Sequence, residues 1–435
     1  MTTEPNSAPE AATPVPEKKP AASPFASKKI SGAAAFRYAD FRHYWISRFI
    51  TSIAVQMQVV AIGWQVYELT HDPLQLGFVG LAEFLPALIL GLITGAAADR
   101  FDRRTILVCC YAVEALCALS FFLLSWHGIT AVWPMFVVLV ALGVARAFAQ
   151  PAAGALVPNL VPRVHFGNAI AWSSLGWQIA GIGGPALGGV VLGYFGVNVV
   201  YVSAAVGIVL STAMMMLVRR HVVEGPSEPV TLASLFAGFA FIKSKPVILG
   251  AISLDLVAVL LGGAVSLLPI YASDILKVGP EGLGYLRSAP AVGALIVAFL
   301  LTQYPVRRNL GQIMFVCVAV WGVSIVTFGL STIFWLSLAA LAVSGMADVV
   351  SVFVRQNIVQ IGTPDAMRGR VGAVNSVFIG ASNELGAFRA GAMASAFGAV
   401  GAVLAGGIAT LLVTALWMKW FKELRKLDKP EDAAA

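Results

Sequence analysis

Twelve apolar runs, each near or above the length of a membrane crossing, dominate this sequence. They fall at roughly 43–68, 74–97, 105–126, 131–156, 168–194, 197–218, 246–274, 282–303, 311–331, 333–357, 370–394 and 397–420. A helix of about 20 apolar residues covers the hydrocarbon core of a bilayer. Each run is bounded by charge, Gly or Pro, the residues that end helices. Lipid offers no water to backbone groups, so only helices or closed barrels can cross it. Barrel strands would be about ten residues long with strict alternation, and these runs do not alternate. The expected fold is therefore all-α and membrane-integral, with twelve transmembrane helices. Charge supports this: only 12% of residues are Asp, Glu, Lys or Arg, against about 25% in soluble domains. Forty-two glycines suit helices that approach closely in lipid.

The net charge of +7 would suit nucleic-acid binding in a soluble protein, but its placement argues for topology instead. Even-to-odd connections carry Arg100, Arg103, Arg104, Arg163, Arg219, Arg220, Lys243, Lys245, Arg307, Arg308, Arg368 and Arg370. Odd-to-even connections carry little beyond Lys277 and, at a span edge, Arg287. Positively charged loops stay in the cytoplasm, so both termini are expected there, in a bacterial inner membrane, with the lipid bilayer and no nucleic acid as partner. Residues 1–35, rich in Pro, Ala, Ser and Lys, read as a disordered cytoplasmic tail without the apolar core of a signal peptide. The expected organisation is a six-helix bundle over 36–220, a cytoplasmic linker with an interfacial helix over 221–245, a second bundle over 246–421, and a tail over 422–435.

The halves repeat. Pro162 and Gly167 match Pro364 and Gly369, Gly184 matches Gly386, and Gly189 matches Gly391. Gly143-Val144-Ala145-Arg146 matches Gly345-Met346-Ala347-Asp348, and Pro86 matches Pro290. All lie at an offset of about 202–204 residues. Two similar bundles can pack in two near-equivalent ways, which is the plan of a transporter with its site between repeats.

Specific motifs sharpen this. GAAADRFDRR at 95–104 resembles the loop signature of the major facilitator superfamily, with Asp102 where the signature has Gly. Its second-half echo is reduced to Arg307-Arg308. GIGGPALGG at 181–189 is similar to the Gly-Pro motif of the superfamily's exporters. Segments 150–162, 363–376 and 378–388 resemble a subgroup of bacterial exporters of siderophore type. The resemblance implies that Gly95, Asp99, Arg100, Arg103 and Arg104 form a conformational gate, although Arg103 and Arg104 also read as lipid-facing charges. It implies that Gly181, Gly184, Pro185, Gly188 and Gly189 seal one side of a cavity. It also implies that Arg146 takes part in proton movement.

Ionisable residues inside spans are costly, about 2.5–3.5 kcal/mol each on insertion scales, and face a cavity or a partner. Here they are Arg48, Glu83, Glu114, Arg146, Asp255, Asp348, Glu384 and Arg389. Arg355 reads as lying at a helix end. Asp255 and Glu384 have no basic residue at i±3 or i±4, which makes them candidate proton carriers. Repeat symmetry suggests that Arg146 meets Asp348 and that Glu83 meets Arg287. Glu114 reads as structural. For each the alternative is an ion pair or hydrogen bond without a transport role.

The four cysteines sit in apolar runs without metal spacing, and there is no Walker A loop or HExxH. The chain is therefore expected to be neither an enzyme nor a holder of metal or cofactor. The expected function is secondary transport: export of an amphipathic small molecule by a monomer, driven by a proton gradient. An uptake symporter or facilitator, or a non-transporting membrane sensor on the same scaffold, are the alternatives.

Overall fold

The computed structural model describes residues 32–220, 232–304, 306, 308–429 and 432. Among these every regular element is helical. The first half holds α1 (Ala39–Thr70), α2 (Pro73–Arg100), α3 (Arg103–Trp126), α4 (Trp133–Leu160), α5 (Phe166–Phe195) and α6 (Val197–Met216). A short α7 (Leu232–Ser244) follows, then α8 (Pro246–Gly262), α9 (Gly279–Gln303), α10 (Leu310–Leu330) and α11 (Phe334–Ile361). The stretch Asp365–Trp420 is broken at Gly398 into α12 (365–397) and α13 (399–420), and α14 (Lys422–Lys426) ends the fold. Among the described residues, eleven continuous stretches are long and apolar enough to cross a membrane. The break in the last makes twelve spans in two sixes.

Of the tail expected over 1–35, residues 1–31 lie outside the described residues, as do 221–231 of the linker and Arg307 of the signature echo. Residues 32–35 are tied to α5: the Ala35 amide donates to Asn168 Oδ1 (2.9 Å) and Trp172 Nε1 donates to the Gly32 carbonyl (2.9 Å).

Local chemistry sets the helix ends. Asp72 Oδ1 accepts from the Leu74 amide at 2.9 Å, with Pro73 at the first helical position of α2. The joint between α5 and α6 is Gly196 (φ 80°, ψ 170°), and that between α12 and α13 is Gly398 (φ 76°, ψ 161°). A side chain is strained at this φ, so both joints require Gly. They occupy the same position in each repeat, so the duplication extends to backbone conformation. The span expected over 246–274 is discontinuous. After Gly262 it passes through a 3-10 turn (Val265–Leu267), one α turn and a π turn (Tyr271–Ile275). Irregular backbone at membrane depth is tolerated where it lines a cavity or is buried in protein, and Val265, Ser266 and Pro269 line one.

The core has a telling distribution. At the end holding the α1–α2 and α5–α6 joints, one apolar cluster draws on both halves, from Val66, Leu139 and Leu192 to Leu268, Leu283 and Phe328. At the opposite, Arg-rich end each half keeps its own: Phe41, Leu107, Leu156 and Met215 in one cluster, Ile248, Phe315, Ile358 and Leu424 in another. The halves are thus sealed at one end and parted at the other. The seal is made by α5 against α9 and α2 against α12. A Cβ on Gly189 would stand 2.7 Å from Gly284 Cα, and one on Gly391 would stand 2.7 Å from the Pro73 carbonyl oxygen. These two seams are repeat-related. Across the same end Ser288 Oγ donates to the Ile182 carbonyl (2.7 Å) and the Tyr67 hydroxyl donates to Asp274.

Candidate functional site: a charged cavity between the halves

Below the seal lies a cavity of about 500 Å³, walled by both halves. Its ionisable lining is three arginines and three glutamates: Arg48, Glu83, Glu114 and Arg146 from α1–α4, and Arg287 and Glu384 from α9 and α12. The formal charges cancel. Gln56, Gln150, Trp177 and Asn383 add polar and aromatic surface.

Arg146 Nη1 donates to Glu83 Oε1 in an ion pair. This replaces the two symmetry-based expectations, Arg146 with Asp348 and Glu83 with Arg287. The reason is local. A Cβ on Gly143 would strike the Glu83 backbone, so α2 and α4 touch there, and Arg146, one turn on, meets Glu83 across the crossing. Asp348 lies in the other half. Arg146 Nε and Nη2 remain without hydrogen-bond partners. Glu114, expected to be structural, lines the cavity, 2% exposed, with Oε2 also unpartnered. Arg48 Nη1 donates to the Tyr111 hydroxyl at 3.2 Å.

Glu384 reaches across the seam. A Cβ on Gly80 of α2 would stand 2.5 Å from Glu384 Oε2, so glycine there makes room for the carboxylate. Arg287 shares the same cavity wall, not an outer rim. Of the five residues singled out in the sequence for proton coupling, Glu83, Arg146 and Glu384 come together here, and Asp255 and Asp348 do not. Asp255 Oδ2 pairs with Arg355 Nη2 at 3.2 Å, and Arg355 Nη1 donates to Asn375 Oδ1 at 3.1 Å. A partner on another helix is invisible to an i±4 search. Arg355 itself is 3% exposed and buried in the protein, six residues before the last residue of α11, Ile361.

The loop signature sits at the parted end. The side chains of Asp99 and Arg100 have no hydrogen bond or ion pair among the described residues, and a Cβ on Gly95 would meet nothing within 4 Å. Asp102, in place of the signature's Gly, caps α3: Oδ2 accepts from Thr105 Oγ1 at 2.6 Å and the Thr105 amide at 3.3 Å. Its φ of −58° needs no glycine, so the turn survives the substitution. Arg103 donates to the Ala98 and Ala155 carbonyls (3.3 and 2.9 Å), and Arg104 to the Met216 carbonyl. They are fastened to backbone oxygens, two of them freed by helix ends, and are not merely lipid-facing.

The Gly-Pro motif packs on both sides of α5. Gly184 and Gly188 face Gln56 and Met57 of α1, Gly181 faces Ala291 of α9, and Gly189 faces Gly284. Pro185, buried inside α5, offers its carbonyl to the same seam beside Gly284.

Comparison with known proteins agrees with this architecture. The enterobactin exporter EntS of Shigella boydii is 26% identical over 395 residues, covering 89% of this chain and 92% of its own. A POT family transporter solved with 5-aminolevulinic acid superposes with a TM-score of 0.72 at 10% identity, covering 89% of this chain and 97% of that one. An inward-facing, occupied bacterial homologue of the lysosomal transporter Spinster superposes at 0.67 with 14% identity, covering 92% and 98%. The family model for transmembrane secretion effectors matches residues 30–434. This multi-pass membrane protein is therefore a transporter of the major facilitator superfamily and belongs to its transmembrane secretion effector family.

Proposed function

We propose that the protein is a proton-coupled exporter of an amphipathic small molecule, working by alternating access in a bacterial inner membrane with both termini in the cytoplasm. The observation that carries this reading is the cavity itself. It is enclosed by one chain, sealed at one end, and lined by balanced charges contributed by both halves. A monomer suffices for the cycle.

On this reading the structure is the inward-facing state. Glu384 belongs to one half and leans on α2 of the other, so its charge acts at the seam. A ligand shifts a two-state equilibrium only by binding the states differently. A proton on Glu384 does so if the seam at Gly80 opens, because the carboxylate then loses its packing against α2 and meets water from the opposite side. Glu83 and Arg146 hold the charge balance on the facing wall. Asp99 and Arg100, without partners in this state, find them when the Arg-rich end closes, and the Gly-Pro motif keeps α5 close to α9 until then. Similarity to EntS, named as an enterobactin exporter, supports outward transport of a siderophore or drug-like cargo. The test uses proteoliposomes holding a pH dye and an imposed pH gradient. Addition of siderophore-like or drug-like cargo should dissipate the gradient with the native protein, and Glu384→Gln should abolish dissipation while leaving downhill cargo flux. Flux of cargo without any proton movement would overturn proton exchange.

A further inference from the structure

The second half contains a charged cluster that the central cavity does not use. Asp255 of α8 and Asp348 and Ser351 of α11 line a separate crevice between α8, α10 and α11, with Cys317 and Trp321 on its wall. The crevice has a volume of about 10 Å³, roughly one water-sized sphere. Arg355 is the cation at this cluster: its two terminal nitrogens are taken by Asp255 and Asn375, and its Nε has no hydrogen-bond partner. Asp348 stands at the middle of α11, is exposed, and lines the crevice together with Asp255, but is bonded to neither Asp255 nor Arg355. Ser351 is 3% exposed, and its Oγ has no hydrogen-bond partner.

We infer that this crevice is a binding site for a small monovalent cation of sodium size, held by the Asp255 and Asp348 carboxylates and Ser351 Oγ. Two carboxylates against one guanidinium leave a single negative charge at membrane depth, where net charge is costly. One monovalent cation neutralises it, and a divalent one would overshoot. The ligands offered are hard oxygens, which suit Na⁺ and not a soft metal. An unpartnered buried hydroxyl has lone pairs that an ion takes up without help from a further donor. The site is separate from the charge cluster of the central cavity and does not depend on proton coupling there.

The test is thermal unfolding of the purified full-length protein at pH 8, in NaCl or in choline chloride at equal ionic strength. The expected result is a saturable rise of the midpoint by a few degrees in NaCl. It should be lost in Asp348→Asn and in Ser351→Ala, and kept in Ser344→Ala, whose hydroxyl already bonds to the Leu341 carbonyl at 2.7 Å. Ser351→Ala keeps the test valid if Asp348→Asn fails to fold. Equal midpoints in the two salts would overturn the site, as would a full NaCl effect in the folded variants. A midpoint that responds to pH but not to NaCl would also overturn it, because the occupant would then be a proton.

Discussion

Replacing Gly189 by Ala should loosen the sealed end of the transporter without touching its charges. In the structure a Cβ at this position would lie 2.7 Å from both Gly284 Cα and the Pro280 carbonyl oxygen. Carbon atoms in ordinary contact sit about 3.5–4.0 Å apart. Both obstacles are backbone, so no side chain can swing away, and α5 and α9 must separate by about 1 Å. Overpacking of this kind costs about 1–3 kcal/mol. That strain falls on the sealed arrangement and not on one in which this seam is open, so it moves the equilibrium about 5–150-fold toward opening. The assay is accessibility of a cysteine at Gln56 in the cavity, in a background lacking the native cysteines, to a membrane-impermeant reagent added from the sealed side. Labelling should accelerate in Gly189→Ala. The reverse control is Gly95→Ala at the parted end, where an added Cβ meets nothing within 4 Å. It should leave this state unstrained and should not accelerate labelling from the sealed side. Unchanged labelling in a folded Gly189→Ala protein would refute the assignment of this seam as the seal.

Other consequences follow from particular contacts. Gly391→Ala, at the repeat-related seam against Pro73, should open the sealed side in the same labelling assay to a similar degree. Glu83→Gln should cost about 1–3 kcal/mol in thermal unfolding, because Arg146 already lacks partners at Nε and Nη2 and would lose its ion pair. Asp102→Ala should lower stability by about 1 kcal/mol through loss of the α3 cap, whereas Asp102→Gly, the residue of the superfamily signature, should cost only a few tenths. Tyr67→Phe removes the hydroxyl that bonds Asp274 across the halves, and should accelerate labelling from the sealed side without altering the charge balance of the cavity.

Much of the fold was legible in the sequence because lipid makes span length and loop charge nearly decisive. Eleven of the twelve runs match helices to within about five residues, and the repeat offset found in Gly and Pro reappears as the paired seams at Gly189 and Gly391. The discontinuity after Gly262 was not legible. The run from 246 to 274 is apolar throughout, and the break serves a cavity whose walls come from helices distant in sequence. Side-chain partners were the least legible. Arg146 and Glu83 meet because Gly143 lets two helices touch, and Asp255 finds Arg355 about a hundred positions away. Neither follows from periodicity or symmetry. The list of intramembrane charges did contain every glutamate of the cavity, and Arg287 was set at a span edge, so the candidates were visible before their grouping was.

The most direct test is a pair of double spin-label distances, again without the native cysteines. One pair joins Arg163 to Gly369 at the parted end, and the other joins Leu69 to Lys277 at the sealed end. Two bundles that rock about a shared cavity should give opposing changes, the first distance shortening and the second lengthening as pH and cargo are varied. Distances that stay single and fixed at both ends, or that grow together, would contradict alternating access in this protein.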